Sequence, residues 1–153
     1  MFASSRDRVP LHTADNDNRS IQEETEARLR FYAANPKHIP RRLRELDEEW
    51  DIERAIEMNA SAIAFGGVAA GVLRDKRWLF IPALVTAFLF QHAVQGWCPP
   101  IPILRKLGFR TVYEIERERH ALKALRGDYT GVVTDGTRIA RLAAADAANA
   151  ALR

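Results

Sequence analysis

Between Trp78 and Trp97 the chain runs for twenty residues, WLFIPALVTAFLFQHAVQGW, without a formally charged side chain. Nothing else in the sequence restricts the fold so severely. A helix rises about 1.5 Å per residue, so the two indoles stand roughly 28 Å apart, close to the hydrocarbon thickness of a bilayer. Tryptophan favours both rims of that slab, and the stretch predicts a membrane span over 78–97. A second apolar stretch, AIEMNASAIAFGGVAAGVL at 55–73, is also long enough to cross, although it carries Glu57 near its start and mostly small side chains. Only Arg74, Asp75, Lys76 and Arg77 separate the two, which forces antiparallel neighbours. The alternative, a hairpin buried in a soluble helical protein, needs other segments to wrap it, and those are too polar.

Read regionally, the 153 residues form one apolar block between charged arms. The expected fold class is an all-α membrane protein: an antiparallel two-helix transmembrane hairpin flanked by amphipathic cytoplasmic helices and disordered tails. The start, MFASSRDRVP, lacks the pattern of a cleaved signal peptide, so the spans are expected to direct insertion. Arg41, Arg42, Arg44 and Arg54 precede the hairpin and Arg105, Lys106, Arg110, Arg117 and Arg119 follow it, against three basic residues in the loop. This places both termini on the cytoplasmic side. The net charge of +3 fits juxtamembrane contact with anionic lipid. No basic stripe interleaved with aromatics points to nucleic acid. A single cysteine excludes an internal disulfide and a multi-cysteine zinc site, and no metal or cofactor is expected.

The arms divide at Pro40. Residues 1–40 read as a disordered or weakly helical arm: 1–19 is rich in Asp, Asn, Ser and Arg with little apolar content, and Ser20 and Glu23 have capping-box spacing for a short helix ending near Asn35. In the run RRLRELDEEWDIERAIE, 41–57, Leu43, Leu46 and Trp50 share one helical face. That helix either lies at the membrane interface or packs on Val112, Ile115, Leu122 and Leu125 of the segment after the hairpin. Gly127 is expected to stop that later helix, bounding a hairpin domain at 41–126. The alanine-rich end of 127–153 reads as a weakly anchored tail.

Small residues mark the first span. Gly67 and Gly71 form a GxxxG pair, and Ala62, Gly66 and Ala70 repeat the spacing, leaving two adjoining flat faces. One can receive the bulky second span; the other either serves the same hairpin or accepts a second copy, making a homodimer.

Counting outward from the loop at equal rise sets Asn59 level with His92 and Glu57 near Gln95. Glu57, Asn59, Ser61, Gln91, His92 and Gln95 are therefore expected in one polar layer near the rim. His92 is either a proton-passing or ligand-binding group, an axial haem ligand across a dimer included, or a hydrogen-bond partner of Asn59 or Glu57 that sets hairpin register; the second reading is preferred.

Cys98 follows the second tryptophan, where Pro99, Pro100 and Pro102 end the span. A thiol at a helix C-terminus feels the negative end of the dipole, which disfavours thiolate, and no nucleophilic triad can be assembled around it. Cys98 is a candidate thiol and not an evident catalyst. The sequence Gly96-Trp97-Cys98-Pro99 followed by Leu107-Gly108 and Thr111 resembles the YgaP-like inner-membrane transmembrane family over about 46–111. In that family a hairpin closes with a Gly-x-Cys-Pro turn and a Leu-Gly-x-x-Thr segment. The resemblance implies a bacterial inner-membrane, multi-pass, self-associating hairpin. Some members add a sulfur-transferring rhodanese domain, for which the residues before Arg41 are too few, so that activity is not inherited.

Three readings of function follow. The leading one is a non-enzymatic membrane hairpin that anchors or scaffolds, with the lipid bilayer and a soluble cytoplasmic protein as partners. The others are an accessory to sulfur or thiol transfer using Cys98, and a small oligomeric channel or carrier built on the His92 layer.

Overall fold

The computed structural model describes residue 4 and residues 6–130. Among these it contains helices and no strand: α1 (Asp15–Ala34), α2 (Ile39–Glu48), α3 (Ile52–Leu73), α4 (Phe80–Gln95), α5 (Ile101–Lys106) and α6 (Val112–Arg126), with 3-10 turns at Pro10–His12, Pro36–His38 and Lys76–Leu79. Two compact units divide the chain. Among the described residues, one joins those up to Gln22 with Trp50–Tyr113; the other joins Glu23–Glu49 with 114–130.

The first unit is built on α3 and α4. Asp51 caps α3, its carboxylate accepting the Arg54 N–H at 2.7 Å. The Ile52 N–H, also without a partner in its own helix, donates to the Arg110 carbonyl at 2.8 Å. Asp75 repeats the device at the loop, accepting the Arg77 N–H at 2.8 Å and turning the chain into α4. Pro82 falls in the first turn of α4, where a missing N–H costs nothing. Gly96 ends α4 with φ +80°, its N–H donating to the His92 carbonyl.

The two helices meet through glycine. A Cβ placed on Gly67 would come within 2.6 Å of Pro82 Cδ, and one on Gly71 within 2.6 Å of Leu79 Cδ2, so a methyl at either position forces its neighbour to shift. The GxxxG face is spent inside the hairpin, while a Cβ on Gly66 would meet nothing within 4 Å. Most large side chains point outward: Phe65, Val72, Phe80 and Phe90 are all at least 70% exposed. The helical stretches Pro36–Leu73, which ends in α3, and Lys76–Gln95, which adds the 3-10 turn to α4, are each long and apolar enough to cross a membrane, with only 17% and 6% of their apolar windows buried.

The buried core of this unit lies instead at the open end of the hairpin. Val9, Ile52, Ile56, Cys98 and Ile101 form it, with Phe88, Leu89, Leu104 and Phe109 packed around. Each such aliphatic side chain contributes about 1.5–3 kcal/mol on burial. Here the expectation of a disordered stretch over 1–19 is corrected where those residues are described. Val9 is 1% exposed in this core, Pro10–His12 form a helical turn, and α1 starts at Asp15 and not near Ser20. The Val9 partners lie far along the chain, so local polarity concealed the contact.

The second unit has its own core of Ile39, Leu43, Leu46, Ile115 and Leu122, flanked by Leu29 and Tyr32. Leu43 and Leu46 thus pack on the later helix and do not leave an apolar stripe for a lipid surface. Trp50 does not share their face. The run expected as one helix over 41–57 breaks at 49–51, because Asp51 caps a new helix; Trp50 is 40% exposed with the Arg54 guanidinium 4.5 Å from its ring centre. Glu118, fully buried, accepts from Arg42 Nε at 2.8 Å and Arg28 Nε at 3.3 Å. Val112 and Leu125, placed on the same apolar side by spacing, are 46% exposed. α6 ends at Arg126, and Gly127 has φ +91°. The alanine-rich end at 139–153 lies outside the described residues.

Candidate functional site

The residues singled out for chemistry collect at the open end of the hairpin, though not as one layer. His92 is 7% exposed and neither ring nitrogen has a hydrogen-bond partner. Asn59 Nδ2 donates at 2.8 Å to the Ala55 carbonyl of its own helix, and Gln91 Nε2 reaches Gln95 Oε1 at 3.4 Å along α4. The expected bond from His92 to Asn59 or Glu57 does not form. Equal depth in an antiparallel pair does not make side chains face each other, and an amide can satisfy itself on the carbonyl four residues back. Glu57 and Arg8 are the charged groups whose fields reach His92.

Arg8 introduces a segment that sequence reasoning missed. Its Nη1 donates to the Ala93 carbonyl at 3.3 Å, and a ring nitrogen of His12 donates to the Gln95 carbonyl at 3.1 Å. Two residues able to carry positive charge thus complete the carbonyl-rich end of α4, where the helix dipole is negative. Arg105, 1% exposed on α5, donates to the Phe109 carbonyl at 3.2 Å and to Asn18 Oδ1 at 2.8 Å. Asn18 in turn donates to the Pro10 carbonyl at 3.0 Å. The only signals for this strap were the Val9-Pro10 pair and the basic residues beside it.

The motif residues split by role. Gly96 is required by geometry, since its φ is positive and a Cβ there would lie 2.5 Å from Arg8 Cβ. Cys98 is a free thiol, 4% exposed among apolar side chains, and burial pushes its pKa up. The buried thiol is a poor nucleophile at neutral pH. Thr111 is buried, whereas Pro99 and Leu107 are exposed. Gly108 has φ +85° with open space where a Cβ would stand. Among the described residues, no group of three or more His, Cys, Asp or Glu side chains is placed to hold a metal ion.

Beside Cys98 the hairpin opens into a groove of about 570 Å³. Ile56, Asn59 and Ile63 line it from α3, Leu84 and Phe88 from α4, and Ile103 from α5. The arrangement can hold an apolar body; it offers no base or acid to transform one.

Compared with known protein families, with curated proteins and with solved structures, the chain has no match.

Proposed function

We propose that the protein is an integral membrane hairpin that anchors and scaffolds, without an enzymatic reaction of its own. One observation carries this reading: two adjacent helices of span length turn their large apolar side chains outward, while the buried core sits at their open end. Water would penalise such a surface heavily, whereas lipid would not. In this reading α3 and α4 cross the bacterial inner membrane, with both chain termini on the cytoplasmic side. Trp78 and Trp97 mark the rims. The Gly-x-Cys-Pro turn agrees with the resemblance to YgaP-like hairpins, and Cys98 serves it as a packed residue. Self-association uses the open face of Ala62, Gly66 and Ala70, because Gly67 and Gly71 are occupied within the hairpin. The helices of the second unit present charged surface to a soluble partner.

Alkaline extraction of membranes containing the full chain, followed by protease digestion of sealed and inverted vesicles, tests this. Retention in the membrane with both arms cleaved from the cytoplasmic face supports it. Release into the soluble fraction would refute it.

A further inference from the structure

The groove beside Cys98 is a cavity that the anchoring role leaves without a purpose, and its surroundings say what fits it. Its walls are hydrocarbon apart from the Asn59 amide, already bonded to Ala55, and the Cys98 thiol. It runs inward from the rim. Ile103 lines its outer end, and Phe88, also a lining residue, packs against Trp97 with ring centres 6.3 Å apart. Leu84 lies eleven residues from Gln95, the last residue of α4, roughly 16 Å along the axis. Lys106 is exposed three residues after Ile103, on the same side of α5. In the membrane reading a long apolar slot thus starts at headgroup depth, with Lys106 one helical step from its lining residue Ile103. Its volume is within the range of sites that hold small molecules, about 300–1,000 Å³.

We propose that this groove binds one acyl chain of an anionic phospholipid, with Lys106 holding the headgroup phosphate. The proposal rests on the membrane reading above. Lipid in the groove completes the wall that α3 and α4 leave open and covers the Cys98 side of the core. A zwitterionic phospholipid gains the same chain contact but less at Lys106, so headgroup charge sets the preference.

The test uses the full chain reconstituted into equal parts of phosphatidylglycerol and phosphatidylcholine of identical chains, re-extracted in mild detergent and examined by native mass spectrometry. One retained phosphatidylglycerol per chain is expected, with the preference falling about fivefold in Lys106→Glu. Ala60→Phe and Leu84→Trp, which fill the groove from opposite helices, should each abolish retention while circular dichroism shows unchanged helix. Equal retention of both lipids, or retention undiminished in both filled variants, overturns the proposal. Vesicle flotation separates the two readings. A chain that floats with vesicles but keeps no lipid refutes the groove alone, and a chain that does not float refutes the membrane reading as well.

Discussion

Arg8 lies directly against Gly96, its carbonyl oxygen 2.6 Å from the point a Gly96 Cβ would occupy. Gly96→Ala therefore combines a backbone conformation with φ +80° and a collision with main chain, and neither can relax cheaply. A loss of about 1–3 kcal/mol is expected from the strain alone. Thermal unfolding of the full chain in detergent, followed by circular dichroism, should show a lower midpoint for this variant. An unchanged midpoint would mean that the strap does not dock.

Substitutions along α3 should rank by what each new methyl meets. Gly67→Ala strikes the rigid ring of Pro82 and costs most, about 1–3 kcal/mol. Gly71→Ala meets the mobile end of Leu79 and costs less. Gly66→Ala meets open space and should leave the isolated hairpin unaffected, while weakening any dimer. Unfolding midpoints and crosslinking yields, measured on the same three variants, separate the internal face from the external one.

Much of this geometry could be read in advance, and the limits are instructive. The apolar run after Trp78, the short loop and the GxxxG pair each carry their meaning within a few residues, and helices α3 and α4 follow from them. The strap does not. Val9 stands in a mostly polar stretch, and its burial depends on Ile52, Ile56 and Ile101, contacts that no local periodicity encodes. Counting along the helix sets His92 level with Asn59 near the rim, but depth along a helix says nothing of azimuth, and neither ring nitrogen meets the partner that the count suggests. Asp51 was legible as a cap in principle; the apolar spacing of Leu43, Leu46 and Trp50 concealed it by running through the break.

The Cys98 thiol should resist maleimide at neutral pH and react increasingly as the solution becomes alkaline. Burial raises its pKa, so the reactive thiolate is scarce below the ordinary thiol value of about 8.5 and the folded chain lags the unfolded one there. In stability terms the raised value means that the fold is favoured while the thiol is protonated. That advantage declines as pH rises past the unfolded pKa. Stopped-time labelling across pH, native against detergent-unfolded, checks the sign. Rapid native labelling below pH 7 would restore the thiol-transfer reading.

Glu118→Ala should destabilise the second unit by about 3–5 kcal/mol. Arg42 and Arg28 both lose the buried carboxylate, and Arg42 is the more enclosed of the two, with 13% of its side chain exposed. Glu118→Gln, which keeps an acceptor of the same shape, should lose less. Urea unfolding in detergent, followed by circular dichroism, distinguishes the two, and equal midpoints for both variants and the parent chain would show the ion pairs to be dispensable.

Val9 has a consequence for the order in which the protein is made. It leaves the ribosome before Ile52, Ile56, Cys98 and Ile101, which enclose it, and the last two follow the hairpin. The strap therefore has no complete core to dock on until the second helix and the proline turn have been made. If α3 and α4 cross a membrane, sealing of the core by Val9 is a late check on their insertion, and a chain whose hairpin has gone in wrongly would display an open Arg8–His12 segment to the cell's proteases.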